Sequence, residues 1–178
     1  MNKTRKAIEY VLSINANFKP LLRVVRSVTT QAIKLDNRRP RATGGAFCLT
    51  TTDGLPIALV AIGKPDPEKL PKYLELALEK CVRLGDHIGH ELSRQSEEPL
   101  KHRYAGAVRD LKREYAMGFS GFPALLDEAT ILVVQIRLGM QTLKSARKIA
   151  ALKTRVHDEG NTFFEKLYRA CNERYGRA

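Results

Sequence analysis

The pair Asp53-Gly54 constrains the chain more than any other feature, because it stands between two short β-branched, apolar runs, Gly45–Thr51 and Leu55–Ile62. The turn between such runs needs positive φ, which glycine adopts freely, and Asp-Gly there is a strong signal for an antiparallel β-hairpin. The hairpin leads into a helix. After the loop Gly63–Lys64–Pro65, Asp66 stands as N-cap with Pro67 at the first helical position, and Leu70, Tyr73, Leu74, Ala77, Cys81 and Leu84 fall on one stripe. Cys81 on that stripe reads as a small core residue.

The same order recurs further on. Arg103–Arg109 and Glu114–Ser120 read as a second hairpin around Asp110-Leu111-Lys112-Arg113, and Pro123 opens a helix with Leu125, Ala129, Leu132, Val133 and Ile136 inward and Gly139 closing it. Between the units, residues 85–100 read as a short helix and an acidic loop. Ahead of them, one short helix ending near Asn15–Asn17 and a second begun by Pro20 are expected. Leu143, Ala146, Ile149 and Ala150 mark a further helix, and Asn161 caps a last one with Phe163, Phe164, Leu167, Tyr168 and Cys171 on its stripe. Hairpins followed by helices predict an α+β fold, an antiparallel sheet flanked by helices, in a domain over residues 1–139. Residues 140–178 are expected to form a basic helical C-terminal extension packed on it. A pure helix bundle is the alternative if the hairpins are misread.

The 178 residues can bury a real core, and 43% hydrophobic against 28% charged residues exclude a fully disordered chain. No apolar run approaches the ~18–20 residues a membrane helix needs. The apolar stretch Ile8–Ile14 is interrupted by Glu9 and Tyr10 and has no small-residue cleavage site after it, so no secretory signal and no membrane are expected. Three cysteines without metal-like spacing leave an odd thiol under any pairing, which points to a reducing, cytoplasmic setting. The net charge of +12 is uneven: residues 1–45 carry +8, residues 46–142 carry −1 and residues 143–178 carry +5. Brought together, the two ends would make a face for nucleic acid or another anionic partner, with Arg38, Arg39, Arg41, Lys148, Lys153 and Arg155 as its contacts. Set against this, no aromatic residues are interleaved for base stacking, and solvated basic helix faces account for the same pattern.

Two constellations suit a small ligand. His87 and His90, flanked by Asp86 and Glu91, would share a face if helical, where imidazoles ligate a metal or haem iron; no third metal ligand is evident. Solvent-facing helical histidines explain the pair as well. His102 and Tyr104 are further candidates for an axial ligand. Gly118–Pro123 would present backbone N–H groups and the Ser120 hydroxyl at a helix start, a place that favours an anion, unless Ser120 only caps that helix. The string is Gly-x-Ser-Gly, which does not make a hydrolase nucleophile elbow, and Asp127-Glu128 complement the helix dipole without a catalytic role. No phosphate loop, dinucleotide fingerprint, acid–base pair or activated nucleophile can be read in the chain.

Thr52-Asp53-Gly54, the helix Leu70–Leu84, Gly118-Phe119-Ser120-Gly121 and Asp127-Glu128 occur in an order and spacing that resemble the GlcG/HbpS-like family, which includes the C-terminal domain of PduO-type proteins. The resemblance covers residues 46–138. It departs at Phe122, where glycine is usual, in the absence of an Asp-Gly from the second turn, and in the basic tail. It implies a profilin-like α/β/α sandwich that assembles into homo-oligomers, and a non-enzymatic module that binds or senses haem or a related tetrapyrrole. The resemblance carries no ligand-binding residue over to this chain; Gly118, Ser120, Gly121, His87, His90 and Tyr104, from the two constellations above, are the ligand-binding candidates. The alternatives are the nucleic-acid adaptor and a structural oligomerisation protein.

Overall fold

The computed structural model describes residues 3–36 and 43–173, with side chains of the first helix described from residue 18 onward. The elements run α1 (Lys3–Leu35), β1 (Gly44–Thr51), β2 (Pro56–Gly63), α2 (Leu70–Asp86), β3 (Ala107–Arg109), β4 (Tyr115–Ser120), α3 (Ala124–Arg137), α4 (Leu143–Ala150) and α5 (Thr162–Asn172). The four strands form one antiparallel sheet in the order β2-β1-β4-β3. The fold is α+β, an antiparallel sheet flanked by helices.

Period-two alternation sorts the strands into two faces. Phe47, Leu49, Met117 and Phe119 point toward α1, α3, α4 and α5 and join the larger core with Val25, Val28, Leu126, Leu132 and Phe164. Ala46, Cys48, Ala107 and Ala116 point the other way and carry α2 through Ala77, Cys81 and Leu84. Small residues on that second face let α2 lie close to the sheet. A Cβ at Gly118 would stand 2.7 Å from Cys81 Sγ and 3.0 Å from the Ala77 carbonyl, so glycine there is required by packing. The C-terminal helices belong to the same core: Ala146, Ile149, Phe164, Leu167 and Cys171 are all buried against α3 and its neighbours.

The first hairpin matches its sequence expectation within a residue, with Gly54 at φ +86°. Other elements differ. One helix runs from Lys3 to Leu35 through Pro20, where two were expected. Proline removes one helical hydrogen bond at a cost of about 3 kcal/mol, which burial of Val25, Val28 and Ala32 on the following turns can offset. Helix α2 begins at Leu70 and not at Pro67; Asp66 caps only the preceding turn, its Oδ1 accepting from Glu68 N at 3.0 Å. The second hairpin is shorter than expected: Ala107–Arg109 pair with β4, the Gly106 carbonyl still accepts from Phe119 N–H at 2.9 Å, and Arg103 pairs instead with Glu98. Its turn is built by Asp110, whose Oδ1 accepts from the backbone N–H groups of Glu114 and Tyr115, both at 2.7 Å.

Candidate functional site

Between α2 and β3 the chain spends residues 87–106 in irregular backbone with two 3-10 turns, Ser93–Ser96 and Pro99–Lys101. The helix expected there is absent, so His87 and His90 do not share a helical face. His87 is the C-cap of α2, and His90 N–H donates to the His87 carbonyl at 2.9 Å in a tight turn. The two imidazoles stack with centroids 4.9 Å apart and planes 20° apart.

A loop with so few backbone ladders needs other partners for its carbonyls, and buried arginines supply them. Arg83 donates from Nη1 to the carbonyls of Ser93 (2.6 Å) and Ser96 (2.9 Å) and from Nη2 to that of Tyr104 (2.7 Å). Arg109 donates to the carbonyls of Leu84, Thr52 (2.7 Å) and His90 (3.1 Å). A planar five-donor fork suits this, since one side chain can hold several strands of backbone at fixed angles. Arg94, wholly buried, lies 3.2 Å from Glu128 Oε2, and Asn161 Nδ2 donates to Glu128 Oε1 at 3.1 Å and to the Leu125 carbonyl at 2.7 Å.

The second wall comes from the loop between α4 and α5. Its neck is closed by Asn161 N–H donating to the Ala150 carbonyl, and its far side by His157 Nε2, 2.9 Å from Glu97 Oε2. Thr154 and His157 tie the loop internally, Thr154 N–H to the His157 carbonyl at 2.8 Å and His157 N–H to Thr154 Oγ1 at 3.2 Å. Between this loop and residues 87–103 lies a cavity of about 550 Å³. His87, His90, Arg94, Gln95, Ser96, Glu97, Glu98 and Arg103 line one side; Lys153, Thr154, Arg155 and Val156 line the other.

Four residues singled out in the sequence, His87, His90, Lys153 and Arg155, therefore meet in one cavity. The rest do not. Gly118, Ser120 and Gly121 are buried in the sheet, where Gly121 lets β1 approach: a Cβ there would stand 2.8 Å from both Gly45 Cα and the Gly44 carbonyl. Ser120 is not a cap, since Pro123 occupies the N-cap position of α3 and Asp127 Oδ1 takes the Phe122 N–H instead, at 2.9 Å. Tyr104 lies outside the cavity with its hydroxyl 3.2 Å from His102 Nδ1. Lys148 lines a separate cavity of about 290 Å³ with Arg113 and Gln141. Arg38, Arg39 and Arg41 lie outside the described residues. Asp127 stands in the first turn of α3, and both it and Glu128 are also buried ion-pair partners: Asp127 Oδ2 accepts from Lys80 Nζ at 2.8 Å, joining the two helical layers.

Burial pushes the Glu128 carboxyl up to about 7, against the opposing pull of Arg94 and of the Asn161 hydrogen bond. A carboxyl whose folded pKa exceeds its unfolded value of 4.5 holds its proton better in the native state, so stability falls as pH rises from about 4.5 through about 7. The expected loss is on the order of 3 kcal/mol from this group. Urea denaturation at pH 5 and pH 8 checks it: Glu128→Gln should remove that part of the slope, and an unchanged slope would assign it elsewhere. His90 shifts the other way, its pKa lowered by burial and then by His87, Arg109 and Arg83.

A haem does not fit this cavity. Two stacked imidazoles cannot approach one iron from opposite sides, and Val156 is the one large apolar side chain among the lining residues. Among the described residues no group of three His, Cys, Asp or Glu side chains is placed to hold a metal ion, and no helix is long and apolar enough to cross a membrane. No family model, no characterised protein and no solved structure matches the chain significantly.

Proposed function

We propose that this chain is a non-enzymatic binding module that holds a small polar ligand between the 87–103 segment and the 153–156 loop. One observation carries the reading. Two segments far apart in sequence converge on a cavity whose lining includes two buried nitrogens with no hydrogen-bond partner, Arg94 Nη1 and His90 Nδ1. Buried polar atoms are normally satisfied, and orphans beside a cavity of ligand size are accounted for by a ligand that satisfies them. A binding role suits the carboxylates better than catalysis does. Glu97 is engaged by His157 and by the Ala105 N–H, and Glu98 by Lys101 and Arg103, whose hydrogen bonds hold its pKa below the usual range. Neither is left free to act as a base. The small-ligand role agrees with what the GlcG/HbpS-like resemblance implies, with the tetrapyrrole set aside.

The test is a fragment screen by amide chemical-shift mapping on the full chain. Shifts clustering on Gln95–Glu98 and Lys153–Val156 are expected. A screen in which no polar fragment perturbs those amides would overturn the proposal.

A further inference from the structure

We infer that the ligand is a phosphate monoester, its dianionic group held at Lys153, Arg155 and Arg94; this rests on the cavity being a binding site at all. The lining carries four cations, Arg94, Arg103, Lys153 and Arg155, against two carboxylates, Glu97 and Glu98. Arg94 is also paired with Glu128 behind it and Arg103 with Glu98, so Lys153 and Arg155 are the two cations of the lining that have no ion pair among the described residues. The carboxylates are also the wrong targets for a cationic ligand, since each already faces a cation of the protein.

Hydrogen-bond polarity points the same way. Gln95 Oε1 already accepts from the N–H groups of Glu91 (2.7 Å) and Leu92 (3.1 Å), which leaves its amide only donors to offer. Thr154 Oγ1 accepts from His157 N–H and keeps its own proton to give, whereas Ser96 Oγ accepts from Arg83 and turns its proton to the Ser93 carbonyl at 3.4 Å. Lys and Arg have donors only. The cavity thus offers an excess of donors beside spent acceptors, and a ligand that is all acceptors, an oxyanion, complements it. A phosphate group is the oxyanion that takes both a guanidinium fork and a point-charge ammonium well. Lys153 and Arg155 flank Thr154 in a turn already tied to His157, so little ordering is left for binding to supply. A polynucleotide would need a continuing basic track with stacking aromatics, whereas Lys148 lines a different cavity and no aromatic ring other than the two imidazoles lines this one.

The experiment uses the full chain with glycerol phosphate and ribose phosphate as probes, and with glycerol, ribose, citrate and a short RNA as comparisons, read by calorimetry and amide shifts. The phosphate esters should bind, weaken with added salt, and shift Gln95 and Lys153–Val156, while their neutral parents do not. In the K153A/R155A double variant affinity should fall roughly tenfold or more with thermal stability unchanged, since both side chains are exposed. Neutral sugars, citrate or RNA shifting those amides while the esters do not would overturn the phosphate assignment and leave the binding site standing. Silence of those amides to every probe, and to the fragment screen as well, would remove the site itself.

Discussion

Asp127→Ala is expected to destabilise the fold by about 3–5 kcal/mol, because it leaves the buried Lys80 ammonium with one hydrogen-bond partner among the described residues, the Phe119 carbonyl at 2.9 Å. Both side chains of the pair are 2% exposed, so water cannot take over the lost contact. The Phe122 N–H loses its acceptor in the same substitution. The structure has made room for this pair: Gly106, at φ +129°, would place a Cβ 2.8 Å from both Lys80 Nζ and Asp127 Cβ. A domain stable by 5–15 kcal/mol would lose a large share of its margin. Urea denaturation should show a lower midpoint with an unchanged slope. The double variant K80M/D127N should regain part of the loss, since it leaves no charge to desolvate and an Asn side-chain oxygen still takes the Phe122 N–H. If the double variant is no better than the single, the pair is not the source of the effect.

Arg109→Met should cost a comparable amount, about 3–5 kcal/mol, and its effect should be localised. Each hydrogen bond to a charged group contributes about 1.5–3 kcal/mol, though neighbouring carbonyls relax together and the sum overstates the loss. The carbonyls released belong to Thr52, Leu84, His87 and His90, which are the end of α2, the first hairpin's turn and the histidine turn. Amide exchange should accelerate at residues 87–92 well beyond the change at β1 and β4. Arg109→Lys should recover little, because one ammonium cannot reach backbone on three segments. Uniform acceleration across the sheet would show instead that Arg109 stabilises only the global fold.

The hairpin at Asp53-Gly54, the stripe of α2 and the Asn161 cap were legible because each is a local pattern whose physics lies within a few residues. The merging of α1 across Pro20 was not, since it depends on what the later turns of that helix pack against. His87 and His90 were expected on a separate short helix within residues 85–100, which does not form; α2 ends at Asp86 and the chain turns. The spacing i, i+3 has meaning only where the backbone is helical, and here it became a stacked turn. Of the candidate site, His87, His90, Lys153 and Arg155 could be named singly, but nothing local says that residues 87–103 and 153–156 meet. Arg83, Arg94 and Arg109 were passed over for a different reason. Arginine usually marks solvent, and only the position of Arg109 at the end of the apolar run Ala107-Val108 hinted that its charge would be spent inside.

The strand order β2-β1-β4-β3 has a bearing on how the protein is made. The apolar hairpin β1–β2 is complete on the nascent chain while its inner partner β4 begins about 50 residues further on, several seconds of synthesis at ~5–20 residues per second. Throughout that interval β1 shows an open hydrogen-bonding edge beside Phe47 and Leu49, and β2 keeps its own edge afterwards. A ribosome translating this message therefore carries a sticky half-sheet for seconds, and the rate at which residues 64–114 emerge sets how long neighbouring chains have to capture it.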